Sequence, residues 1–154
     1  MFISNWVRTY NHHQGILECC EEHYETQNLP YLLAFGRETD AVRGLVFGEA
    51  FGLLAVTNPL QAENDQRIQA LGNILQTFNR ETITSIVFRN NYLTDYCLKL
   101  QIPSLAQYTR LNSLELSHNQ LTNASLEALS VIFSNCPSLT KLDLSHNLFG
   151  QGER

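Results

Sequence analysis

Two groups of side chains in this sequence have the chemistry to hold a metal ion or move a proton. The first gathers His12, His13, Cys19, Cys20 and His23. Zinc takes imidazole and thiolate ligands, usually from C-x2-4-C or H-x3-5-H spacings. Adjacent cysteines suit one tetrahedral ion poorly. A cysteine beside a histidine base would also be a nucleophile. Cys20, however, falls on the apolar side of a helical pattern and is expected in a core, with the histidines at the surface. The second group is His118 and His146, near Glu115 and Asp143. Two imidazoles one strand apart could ligate zinc, but both belong to the same Ser-His-Asn triplet, so duplication of the surrounding segment accounts for them. Glu38, Asp40 and Glu49 show no acid–base pairing, and Gly36-Arg37-Glu38-Thr39 lacks the lysine and spacing of a phosphate loop. The expectation is no metal, no cofactor and no catalytic set, so not an enzyme.

The duplication leads to the elements that position these residues. Ile83–Leu93, Leu111–Leu121 and Leu139–Phe149 are one pattern written three times, L-x-x-L-x-L-x-x-N-x-L with apolar swaps, and they start 28 residues apart. A fixed period of this size marks a stack of repeated units. The central x-L-x-L-x has period two and predicts a short strand. Ile86 and Phe88, Leu114 and Leu116, and Leu142 and Leu144 then point inward. Asn91, Asn119 and Asn147 follow each strand and are expected to stack as a ladder, their amides satisfying buried backbone groups of the neighbouring turn. Between the second and third strands, Asn123 to Phe133 reads as a helix with Leu126, Leu129, Ile132 and Phe133 on one face. Asn123 or Ser125 can cap it, and Pro137 ends it. A strand followed by a crossover helix requires parallel strands.

These three segments resemble the leucine-rich repeat family, and the 28-residue period resembles its ribonuclease-inhibitor-like subclass. The resemblance implies an α/β fold: a right-handed solenoid with short parallel strands on a concave face and helices on a convex one. It also implies protein–protein recognition through the concave face, and nothing here is diagnostic of ribonuclease inhibition.

Upstream, the pattern weakens. Residues 2–14 read as a helix with Phe2, Ile3, Trp6, Val7 and Tyr10 on one side, and Ile16 to Gln27 as a second helix with an acidic opposite face. Asn28-Leu29-Pro30 should stop that helix before the short apolar segment Tyr31–Gly36. Thr39 to Gly52 fits a helix capped by Asp40, or a turn and strand, since Gly44, Gly48 and Gly52 would each cost roughly 1 kcal/mol in a helix. Phe51–Leu60 looks like a degenerate copy of the repeat, with a helix from Asn64 to Phe78. The expected organisation is a helical N-terminal cap over 1–50, then repeats over 51–154: a degenerate copy at 51–82 and copies starting at 83, 111 and 139, the last incomplete. The segment Gly150–Arg154 opens another convex stretch without its helix, so Leu142–Leu144 is expected at an open edge. Either the chain is a truncated piece, or a partner or a second copy covers it.

An apolar share of 44% suits a folded protein, and a net charge of −5 argues against general attraction to nucleic acid. No segment approaches a membrane span, and the first residues are no ordinary secretory signal. Cys19, Cys20, Cys97 and Cys136 form no even framework, which points to reduced thiols and a cytoplasmic setting, a bacterial effector delivered into a host cell included.

The outward strand positions form rows across the three copies: Ser85, Ser113, Lys141; Val87, Glu115, Asp143; Arg89, Ser117, Ser145; and Asn90, His118, His146. Equivalent residues on adjacent strands lie about 5 Å apart. This small, polar, mixed-charge surface is the expected site for a protein partner, with Arg89 its one strong anchor type and Tyr92 at the rim. Two other classes fit the same sequence: the targeting arm of a larger enzyme or secreted effector, or a structural assembly joint that self-associates through the last repeat.

Overall fold

A computed structural model of the chain describes residues 10, 11, 13–19, 29–47, 66–89 and 93–150. Its strands are β1 (Tyr10–Asn11), β2 (Ile16–Cys19), β3 (Gly44–Phe47), β4 (Ser85–Phe88), β5 (Ser113–Glu115) and β6 (Lys141–Asp143). Its α-helices are α1 (Leu29–Glu38), α2 (Gln66–Thr77), α3 (Asp95–Leu105) and α4 (Leu126–Asn135). The six strands form one sheet in sequence order. β1 pairs antiparallel with β2, and every later pairing is parallel. The helices pack in the same succession, α1 on α2, α2 on α3 and α3 on α4.

The register stacks equivalent apolar residues. Leu17, Leu45, Ile86, Leu114 and Leu142 form one inward row, and the first four are buried. Two residues further along the strands, the Phe47 and Phe88 rings stack at 4.8 Å between centroids. Alternate residues of a short strand face opposite ways, so this row and its neighbour build the core while the residues between them face out. From the helix layer, Ile68, Leu71, Ile74, Leu75 and Phe78 are all buried, matching the helix expected from Asn64 to Phe78. Buried Tyr108, whose phenol burial pushes up, donates its hydroxyl to the carbonyl of Leu75. In α3, Thr94 caps the start by accepting from the N–H of Cys97.

The upstream residues fold differently from the helices expected there. Tyr10–Asn11 is a strand, and the chain then turns. The side-chain oxygen of Asn11 accepts from the N–H groups of His13 and Gln14 at 3.0 and 3.1 Å, the local bonding by which asparagine competes with helix. Gly15 completes the turn at φ +70°, a region glycine enters without steric cost. Ile16–Cys19 is a strand, not the start of a helix, because Leu17 and Cys19 alternate inward with period two against β3. Leu29–Glu38 is a helix, although Pro30 was expected to stop one. Pro30 lies in its first turn, where the missing N–H has no intrahelical partner to lose. Of the two readings of Thr39–Gly52, the strand is the one found, at Gly44–Phe47.

These changes relocate the degenerate copy. The strand beside β4 is β3, not a strand within Phe51–Leu60, which lies outside the described residues. Its pattern is Val42-x-x-Leu45-x-Phe47, matching Ile83-x-x-Ile86-x-Phe88. β2 precedes β3 by the same 28 residues that separate β4, β5 and β6. The sheet therefore runs upstream of residue 51 without a break in strand order. Where a helical cap was expected, the described part of 1–50 holds three strands and one helix.

The face expected for α4 is half right. Leu129 and Ile132 are buried, whereas Leu126 and Phe133 are exposed. Among the described residues, no helix is long and apolar enough to cross a membrane.

Candidate functional site

The strand face carries its outward residues in two continuous rows. The first is Ile16, Gly44, Ser85, Ser113, Lys141, and the second is Glu18, Val46, Val87, Glu115, Asp143. The expected three-strand rows are present and extend across β2 and β3. Ile16 and Glu18 were missed because β2 was read as helix, and Gly44 and Val46 because Thr39–Gly52 was left between helix and strand and the degenerate copy was placed from Phe51. The spacings Leu17-x-Cys19 and Val42-x-x-Leu45-x-Phe47 were the signals that could have found them.

At the centre Arg89 donates from Nη2 to Glu115 Oε2 at 2.7 Å. The hydrogen bond to Glu115 chiefly raises the Arg89 pKa above its ordinary value, and the charges of Glu115, Glu18 and Asp143 add to it against partial desolvation. One guanidinium thus feels carboxylates from three strands. Asp143 sits below the ordinary aspartate range. The hydroxyl and N–H of Ser145, at 2.6 and 2.9 Å, are the main cause, and His118 and His146 contribute.

The third expected row divides. Arg89 and Ser145 are exposed. Ser117 is 3% exposed and does not belong to an accessible surface. Its hydroxyl donates to Glu115 Oε1 at 3.4 Å, within the turn rather than towards solvent. In the fourth row, His118 and His146 are exposed and stack face to face, with ring centroids 4.1 Å apart and planes 11° from parallel. Both have left-handed backbones, φ 58° and 56°. Asn90, Asn91 and Tyr92 lie outside the described residues.

The ladder is complete at its two described rungs. The side-chain oxygen of Asn119 accepts from Leu93 N–H, and that of Asn147 from Leu121 N–H, each at 3.0 Å. The Asn119 amide donates to the carbonyls of Phe88, Leu116 and Ser117 at 3.0–3.2 Å. The Asn147 amide donates to Leu116, Leu144 and Ser145 at 2.7–3.3 Å. Each asparagine thus satisfies backbone groups of its own turn and of the one before.

Among the described residues, His118 and His146 are not arranged as a metal centre. Stacked imidazoles direct their in-plane lone pairs side by side rather than at one point. In the upstream group His13 is exposed in the turn while Cys19 is buried in the core, and His12, Cys20 and His23 lie outside the described residues. Among the described residues, no cluster of three or more His, Cys, Asp or Glu has metal-binding geometry.

Parallel strands in strict register, a helix layer behind them and an asparagine ladder between turns define a repeat solenoid. Its last two repeats match the leucine-rich repeat family. The family profile described as Leucine Rich repeat matches residues 109–130 and 135–150. Among solved structures, the chain is similar to one titled "Crystal structure of TLR13-ssRNA13 complex", at 18% identity and a TM-score of 0.38. That match covers 71% of this chain and 16% of the other, so the chain spans a small part of the protein it resembles. No curated protein matches the sequence.

Proposed function

We propose that this chain is a non-catalytic interaction module that binds a protein partner through the concave strand face, in a cytoplasmic setting. The observation that carries the reading is the register of Glu18, Val46, Val87, Glu115 and Asp143, one outward row across five strands. Rows of this kind let neighbouring side chains engage a single partner, and rigid backbones lower the entropic cost of doing so. The contact set is exposed Arg89, His118, Lys141, Asp143, Ser145 and His146 with half-buried Ser85, Val87, Ser113 and Glu115, Asn90 being carried from the sequence pattern and Ser117 excluded by its burial.

The test is alanine replacement of Arg89, Glu115, His118, Asp143 and His146, with binding measured against a partner recovered by pull-down from the native cell. Loss of affinity at two or more of these positions supports the concave site. Unchanged affinity at all five moves the interface elsewhere, and the first place to look is the convex groove between α3 and α4, where Tyr96, Ile102, Ala128 and Val131 line an open surface.

A further inference from the structure

A groove of about 380 Å³ runs between α2 and α3 in the helix layer, away from the outward strand rows. Neutral amides and one hydroxyl make up its polar lining. Gln69, Asn73 and Gln76 come from α2, at spacings of four and three that share one helix face. Gln101 and Ser104 come from α3. Among the described residues, no charged side chain and no aromatic ring lines it. Gly72, in the middle of α2, belongs to the floor.

Gln101 is 3% exposed. Its Nε2 donates to the carbonyl of Ile68 at 3.5 Å. That bond sets the orientation of the amide, because a flipped amide would place carbonyl against carbonyl. Among the described residues, Oε1 then has no hydrogen-bond partner. A buried acceptor left unpaired is costly, and nearly all such groups in folded chains are paired. This oxygen stands 3.5 Å from the point a Cβ on Gly72 would occupy, so it overhangs bare backbone. At 3.5 Å such a Cβ would make only an ordinary contact, so the packing of α2 against α3 does not require a glycine there. Glycine inside a helix weakens it relative to alanine. The missing side chain leaves room for a ligand atom beside Oε1.

The unpaired acceptor calls for an N–H or O–H donor. An ionic ligand would meet no counter-charge in this lining, so a neutral group loses least on leaving water. That excludes a free amino acid, with its ammonium and carboxylate. A sugar would find no aromatic ring to stack on. A primary carboxamide matches best, since one slim planar end carries two N–H donors and a carbonyl. Gln76 already donates from Nε2 to Ser104 Oγ at 3.3 Å, which leaves Asn73 to donate at the rim. Leu100, 37% exposed beside the groove, offers apolar cover to a methylene stem. The depth of Oε1 below that rim favours the two methylenes of glutamine over the one of asparagine.

We propose that this groove binds a peptide segment of a protein partner through a glutamine side chain. The glutamine amide donates to Gln101 Oε1 above Gly72, and its carbonyl accepts from the amide of Asn73. This site is independent of the concave-face reading, because it lies in the helix layer and uses none of the outward strand residues.

The experiment titrates the isotopically labelled 154-residue chain with the capped peptide acetyl-Ser-Ala-Gln-Ala-Ser-amide, followed by amide NMR. Saturable shifts are expected at the Gly72 N–H and the Gln101 side-chain amide. The same peptide with glutamate for glutamine keeps the shape, loses the donor at neutral pH and adds a charge. It is expected to bind at least about tenfold more weakly, the scale of an unpaired buried group. Gly72→Ala places a methyl group where the ligand enters. It is expected to keep or raise the melting temperature and to abolish the shifts. Gln101→Leu removes the acceptor and is expected to abolish them too. If Gln101→Leu unfolds the chain, Asn73→Ala at the exposed rim is expected to weaken binding by about tenfold. Absence of a saturable shift overturns the proposal. So does equal affinity for the glutamate peptide, or binding unchanged by Gly72→Ala. A melting temperature lowered by Gly72→Ala would assign the glycine to helix packing and overturn it as well. Shifts with maltotriose but not with the peptide would make this a saccharide groove and overturn the glutamine assignment.

Discussion

The side-chain oxygen of Asn119 accepts the backbone N–H of Leu93 at 3.0 Å, across 26 residues of sequence. With the amide of Asn119 donating to the carbonyls of Phe88 and Leu116, one buried side chain ties two successive turns together. Asn119→Ala leaves those groups without partners. It is expected to destabilise the chain by roughly 1–3 kcal/mol, the scale for unsatisfied buried polar groups. Chemical denaturation of the two proteins checks it, and an unchanged midpoint would remove the ladder from the account of stability.

Leu116 is fully buried, beneath the turn that Asn119 and Asn147 both bond. Leu116→Ala opens a cavity at the junction of two repeats. The expected loss is about 2–5 kcal/mol. A thermal melt within error of wild type would mean that this part of the strand does not face the core.

Gly15→Ala separates the hairpin found here from a helix over the same residues. In a helix the replacement would stabilise. In the turn, alanine meets a φ of +70°, and its Cβ would stand 2.7 Å from the carbonyl oxygen of Ala41. The left-handed conformation alone costs roughly 1–2 kcal/mol for a residue with a Cβ. A destabilisation of at least about that size is expected in denaturant titration, and a gain in stability would contradict the turn.

Asp143 carries the pH dependence of the outer strand. Its folded pKa lies below the ordinary value because Ser145 donates twice to it, with His118 and His146 adding to the effect. The unfolded chain therefore binds the proton more readily. The contribution to stability is present above the ordinary aspartate value, near 3.9, and is lost as pH falls from there through the depressed folded value. NMR titration of the Asp143 side chain is expected to show the low midpoint, and Ser145→Ala to move it upward. A midpoint unchanged by Ser145→Ala would show that the hydroxyl is not the cause.

The repeat spacing, the inward apolar residues of the last three strands and the asparagine positions were legible in the sequence by itself. Each rests on a short-range rule: period two for Leu114 and Leu116, and a polar amide at the turn for Asn119. What lay between the repeats was less legible, because its local signals were ambiguous. Ile16, Leu17, Cys20 and Tyr24 suit one face of a helix, while Leu17 and Cys19 suit one face of a strand. Pairing of β2 with β3 decided between them, and no local propensity encodes that partner. Pro30 could end one helix or begin the next, and the structure shows it at the first turn of α1. For the site, the sequence determined which residues share a row. Tertiary structure decided which of them reach solvent: it buried Ser117, stacked His118 on His146, and joined Glu18 and Val46 to the row of Val87, Glu115 and Asp143. Row membership follows from the 28-residue period, whereas exposure depends on the backbone angle at each turn and on the neighbouring chain packed against it.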